Sequence, residues 1–166
     1  MARRFTHSAV LVALAIAVPV AAQDPAGEPD DKAHSIAWQN AQQAALAERA
    51  ANDWYALQGG LLWRRVKGDG SGAHPAPSDT VTVHYAGTFV DGETFDSSYD
   101  RGQPATFPLS GLVPAWKLAI PQMGVGDTIE IAAPATLAYG PAGRGPIPGG
   151  ATLLFSVELL DIPSQS

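Results

Sequence analysis

The sequence predicts an α+β fold: a curved antiparallel β-sheet wrapped around one short α-helix, preceded by an N-terminal helical extension. Strand-like alternation recurs along residues 61–162, most clearly in TVTVHYAGTF, DTIEIAAP and ATLLFSVELLDI. Only LVPAWKLAIPQM (112–123) reads as a helix among them. Parallel strands need crossovers that cover the sheet, and one short helix cannot supply them, so the strands run antiparallel.

In chain order, MARRFTHSAVLVALAIAVPVAAQ has two arginines, an apolar run from Ala9 to Val18, and small residues at Val20-Ala21-Ala22. That is the layout of a secretory signal, and residues 1–22 are expected to be removed on export. The run is shorter than the ~20 apolar residues of a spanning helix, so membrane contact is expected only transiently, through the leader. Residues 23–32 read as a polar linker rich in Pro and Asp. The segment 33–58 lacks Gly and Pro and is rich in alanine, which predicts helix. Leu46, Ala50, Trp54 and Leu57 form a thin apolar stripe on it, with Gln39 and Gln43 interrupting the same face. Such a stripe fits either packing on the main domain or a homodimer through residues 33–57.

The main domain is expected over 60–162, with a tail at 163–166. LLWRRVKG (61–68) reads as its first strand and GDGSG as a turn, too poor in carboxylates for a calcium loop. In the next strand Val81, Val83, Tyr85 and Phe89 share one face, and Thr80, Thr82, His84 and Thr88 the other. Asp91-Gly92 marks a hairpin. ATFPL (105–109) is another short strand. In the helix, Pro114 suits the first turn, and Pro121 ends it by disfavouring helix at Ile120. Gly124–Asp127 turns into a strand with Ile129 and Ile131 inward and Glu130 outward. After a Gly- and Pro-rich loop, the last strand places Leu153, Phe155, Val157 and Leu159 on one face.

Composition removes many functions. At 46% apolar and 16% charged residues the chain has material for a packed core. A net charge of −6 without a basic stripe argues against nucleic acid. The absence of cysteine excludes disulfides, thiol catalysis and Cys-ligated zinc. His7, His34, His74 and His84 lack ligand spacing, so no metal is expected. There is no G-x-S-x-G elbow and no phosphate-cradling glycine loop, and Ser97 and Ser98 have no obvious histidine partner. No cofactor is expected. What remains is an aromatic and apolar set: Tyr85, Phe95, Phe107, Trp116, Tyr139, Ile147 and Phe155.

VHYAGTFVDGETFDSS, FPLSGLVPAW, QMGVGD, LAYG and PGGATLLFSVELLDI follow one another in the order and spacing of a known family. Over about residues 60–162 the chain resembles the FKBP-type peptidyl-prolyl cis-trans isomerases, the macrolide-binding immunophilins. Its leader and helical segment look like the extracytoplasmic bacterial branch, which implies a periplasmic location. The resemblance implies a half-barrel sheet around one helix and an apolar pocket between them. In that pocket Tyr85, Phe95, Phe107 and Phe155 would be walls, Leu112 and Val113 one side, and Trp116 the floor. Tyr139 would offer its hydroxyl to a substrate carbonyl, and Ile147 would sit on the flap loop. Asp96 would face the pocket, with Arg101 as its charge partner. Asp96, Tyr139 and Trp116 would be the catalytic set. The implied partners are proline-containing polypeptides and macrolide inhibitors.

The sequence departs from the family pattern at Ala105, where a second aromatic is common, and at Ala115, where glycine is usual. Its flap, Pro141–Gly150, is short and carries Arg144 and Pro146. These departures keep a second function in view, a non-catalytic holdase that grips unfolded chains with the same fold.

Overall fold

The computed structural model describes residues 35–165, so the expected leader and linker lie outside the described residues. Helix α1 (Ile36–Ala50) begins where the Ser35 hydroxyl accepts the Trp38 N–H at 3.1 Å. Its inner face is Trp38, Gln42, Ala45, Leu46 and Arg49, at helical spacing. Of the expected stripe only Leu46 lies on that face. The helix stops at Ala50, Asp53 takes φ +52°, and Tyr55–Ala56 forms strand β1. Trp54 and Leu57 therefore lie beyond the helix. Pairing with the next strand outweighs helix propensity here: β1 runs antiparallel to Leu62 and Trp63, and Leu57 N–H donates to Leu61 O at 2.8 Å. Gln42 fastens α1 to the domain, its Oε1 accepting the Thr152 N–H at 2.8 Å.

The remaining strands are β2 (Leu62–Lys67), β3 (Thr80–Thr88), β4 (Thr94–Ser97), β5 (Ala105–Pro108), β6 (Thr128–Ala133) and β7 (Leu153–Asp161). The sheet order is β1-β2-β6-β7-β3-β4, every pairing is antiparallel, and β5 also pairs with β3. The two nine-residue strands, β3 and β7, lie at its centre. Along the outer edge of β3, β5 covers Thr80–Val83 and β4 covers Ala86–Thr88. The sheet stays open, as expected.

The alternation in β3, β6 and β7 buries Val81, Val83, Ile129, Ile131, Leu153, Val157 and Leu159. Helix α2 (Pro114–Ala119) lays Ala115, Trp116 and Ala119 against this layer. Each fully buried aliphatic side chain contributes about 1.5–3 kcal/mol. Pro114 holds the first helical position, where its missing N–H costs nothing. Ile120 keeps helical dihedrals (φ −61°, ψ −36°), contrary to the expectation from Pro121. Because Pro121 has no N–H to bond back to Lys117, the chain tightens into a 3-10 turn, Ile120–Gln122, and then extends at Met123.

Asp127 ties the following turn to β2. Its carboxylate accepts from Gly124 N (2.8 Å), Gly70 N (3.1 Å) and Arg65 Nε (3.0 Å). Burial pushes this carboxyl up, but the two amides and the guanidinium outweigh it and hold it below the ordinary carboxylate range.

Candidate active site

A cleft of about 230 Å³ opens between α2 and the concave face of the sheet. Strand β3 supplies Tyr85, β4 supplies Phe95 and Asp96, β5 supplies Phe107, and β7 supplies Phe155. Leu112 and Val113, just before α2, form another side, and Tyr139 joins them from beyond the 3-10 turn Ala135–Leu137. Trp116 is 4% exposed, and its ring meets Tyr85, Phe155 and Phe107 near edge-on at centroid distances of 5.2, 5.5 and 6.4 Å. Phe95 stands edge-on to Phe155 at 5.8 Å. Edge-on contact sets the positive rim of one ring against the negative face of another, so these contacts fix the ring orientations as well as filling space.

Strict alternation would send Phe95 and Asp96 to opposite faces of β4. A bulge prevents this. Gly87 pairs with Asp96 but Thr88 pairs with Thr94, which leaves Phe95 as the extra residue. Both neighbours consequently line the cleft. Gly87 makes room for this arrangement: a Cβ there would lie 2.5 Å from Phe95 Cζ and 3.2 Å from Phe155 Cδ1.

Asp96 is held from two directions. The Tyr85 hydroxyl donates to Oδ2 at 2.5 Å, and Arg101 Nη1 donates to Oδ1. Arg101 Nη2 also donates to the Tyr85 hydroxyl at 2.8 Å, and its guanidinium lies 5.5 Å from the Tyr85 ring centroid. Partial burial works to raise the Asp96 pKa. The bonds from Tyr85 and Arg101 prevail and keep the carboxyl below its ordinary range. Burial, followed by the bond to Asp96, raises the Tyr85 hydroxyl. The arrangement is a fixed negative charge beside an apolar cleft.

Ile147 does not line that cleft. It lines a neighbouring hollow of about 280 Å³ together with Phe95, Asp96, Tyr139 and Arg144. Arg101 stands behind Asp96, outside both hollows. The flap is a tight hairpin in which Arg144 and Ile147 exchange backbone hydrogen bonds at 2.8 and 3.0 Å. The Arg144 guanidinium lies 6.0 Å from the Tyr139 ring centroid.

Folding also supplies the serine partner that the sequence did not show. His84 Nδ1 lies 2.9 Å from Ser98 Oγ. Ser98 is fully buried, and its hydroxyl accepts the Tyr85 N–H at 2.8 Å. That pair locks β3 to the chain leaving β4, at the level of Tyr85, and offers no accessible nucleophile. The two residues stand 14 positions apart in sequence, and no spacing rule joins them.

The comparisons with known proteins agree with this geometry. The family model for FKBP-type peptidyl-prolyl cis-trans isomerases matches residues 71–160. FkpA of Aeromonas hydrophila is 50% identical over 101 residues, covering 61% of this chain and 38% of that protein. The FKBP-type 22 kDa isomerase of Escherichia coli (strain K12) is 50% identical over 99 residues, covering 59% of this chain and 48% of that protein. The chain thus spans less than half the length of either relative. The crystal structure of FkpA from Escherichia coli superposes with a TM-score of 0.64 at 36% identity, covering 75% of this chain and 64% of that one. With more than half of its length matched by the family model, in the fold and ring arrangement just described, the chain belongs to the FKBP-type peptidyl-prolyl cis-trans isomerase family.

Proposed function

We propose that the domain accelerates rotation about X–Pro peptide bonds in exported polypeptides, by gripping the prolyl residue in the ring-lined cleft. One observation carries this reading. Trp116 forms a floor braced edge-on by Tyr85, Phe107 and Phe155, beneath a cleft whose margin holds the fixed carboxylate of Asp96. The amino-terminal leader supports export. Among the described residues, no helix is long and apolar enough to cross a membrane.

Rotation about a peptide bond faces a barrier of about 18–20 kcal/mol, because the planar amide has partial double-bond character. At X–Pro both isomers are populated, and no covalent bond has to break. The planar amide is charge-separated and well solvated, and the twisted one is less so. A cleft that removes water from the amide therefore favours the twisted state. Each ~1.4 kcal/mol of such preference is a tenfold gain in rate. Trp116 supports the ring, Tyr139 donates its hydroxyl to the neighbouring substrate carbonyl, and Asp96 acts on the amide through its charge. Tyr85 and Arg101 keep Asp96 ionised and in place. Macrolide inhibitors would occupy the same cleft.

The test is refolding of a denatured protein whose slow phase is prolyl isomerisation. The chain at one-tenth of the client concentration shortens that phase. A holdase would instead act only near equal concentrations and would still suppress aggregation of a proline-free client after loss of Trp116.

A further inference from the structure

Phe95 is a wall shared by three adjoining hollows. The first two are the ring-lined cleft and the flap hollow beside it. The third, about 430 Å³, lies between α1, the β3–β4 hairpin and the flap prolines. Trp38, Phe89, Val90, Pro146 and Pro148 make it apolar, and Asp91 and Glu93 lend it negative charge. Pro146 belongs to both the second hollow and the third.

We propose that the third hollow is a binding subsite for the polypeptide beyond the prolyl residue. It takes a large apolar side chain against Trp38 and favours a basic residue next to it, beside Asp91 and Glu93. The proposal rests on the prolyl-isomerase reading of the cleft. A cleft of 230 Å³ encloses a prolyl ring and little more, so a long substrate must leave it across the rim. The flap hollow borders the cleft at Phe95, Asp96 and Tyr139 and borders the third hollow at Phe95 and Pro146, so the three lie side by side along that way out. The subsite wall is also fixed. Gln42 anchors α1 to Thr152, and the Trp38 ring lies 3.7 Å from the place a Gly150 Cβ would occupy, at the base of the flap. A preordered indole loses little freedom on binding, which favours affinity. Trp38 lies outside residues 71–160, so the α1 wall of the subsite is an addition of this chain to the part that its family model matches.

The test uses the full chain, with Trp38→Ala and Glu93→Lys as variants. One substrate is a chromogenic proline tetrapeptide. The other is a fluorescent twelve-residue peptide with a central Leu-Pro bond, a phenylalanine and a lysine on one side of it. Trp38→Ala leaves kcat/KM for the tetrapeptide within twofold of the parent and lowers that for the long peptide about tenfold, through KM. Glu93→Lys, an exposed change that spares the fold, weakens the lysine-bearing peptide and favours the same peptide with glutamate in place of lysine. Equal losses on short and long peptides, or no loss on the long one, overturn the subsite. Fluorescence anisotropy reads binding without turnover: Trp38→Ala weakens the long peptide about tenfold, and an unchanged affinity overturns the subsite on its own. If the parent chain binds the long peptide but accelerates neither substrate, and Trp38→Ala weakens that binding, the isomerase reading fails and the subsite stands.

Discussion

Phe95 and Asp96 are chain neighbours whose side chains both line the same cleft, because a bulge between Gly87 and Thr88 makes Phe95 the extra residue of β4. One strand thereby delivers a ring and a carboxylate to a single cleft. The arrangement depends on a bare backbone at Gly87, under the Phe95 ring.

Gly87→Ala is expected to force Phe95 outward, because the new methyl would stand 2.5 Å from its Cζ. Such overpacking costs about 1–3 kcal/mol. Urea unfolding should show a lower midpoint, and prolyl-peptide turnover should fall with it. An unchanged midpoint together with unchanged turnover would show that Phe95 does not need this close approach.

The pH behaviour of Asp96 follows from its partners. Its folded pKa is held below the ordinary 3.8, so the ionised form persists from neutral pH down through that value and is lost only as pH falls through the depressed one. Arg101→Ala removes a cation and a donor while burial remains, so the titration should move upward. Tyr85→Phe combined with it should move the titration above the ordinary value. Carboxyl NMR titration of Asp96, run beside the acid limb of kcat/KM, checks this. A midpoint that stays put in the double variant would refute the assigned partners.

Much of the sheet was legible because burial writes a period of two into β3, β6 and β7. Trp116, Tyr139, Tyr85 and the three cleft phenylalanines were legible through blocks that resemble a known family. Local reading missed what depends on tertiary pairing. The bulge at Phe95 breaks alternation without a glycine or proline in β4 to announce it. The dipeptide strand Tyr55–Ala56 is too short to show any period, and its partner lies across a turn. On α1 the buried residue is Gln42, a polar side chain that the apolar stripe read from the sequence does not include and that is buried because it bonds Thr152. His84 and Ser98 likewise meet only because β3 and β4 pair.

Asp127→Asn should destabilise the domain by about 2–4 kcal/mol at pH 7, because the amide brings a donor where Gly124 N, Gly70 N and Arg65 already donate. The linkage has a definite sign. A folded pKa below 3.8 gives stability that is complete above that value and is lost as pH falls through the depressed one. The parent should therefore lose stability steeply below about pH 4, with a shallower loss in Asp127→Asn. Parallel slopes in chemical unfolding across this range would contradict the assignment.

Tyr139→Phe removes a hydroxyl for which no protein hydrogen-bond partner is found among the described residues, while keeping the ring that lines the cleft. Thermal stability should stay within about 0.5 kcal/mol, the range for substitutions that break no folded-state contact. Prolyl turnover should fall about tenfold, the value of one hydrogen bond made in the transition state. A fall in melting temperature matching the fall in turnover would assign the hydroxyl to the fold.

The most direct measurement is exchange NMR on an unmodified proline peptide with a catalytic amount of the full chain. Uncatalysed exchange takes roughly tens to hundreds of seconds, too slow for cis–trans cross-peaks on a mixing time near one second. With the chain present, cross-peaks should grow in proportion to its concentration, and the Trp116 indole resonance should shift as peptide is added. Exchange that stays at the spontaneous rate while the peptide binds would contradict the claim that this cleft eases the prolyl amide out of its plane.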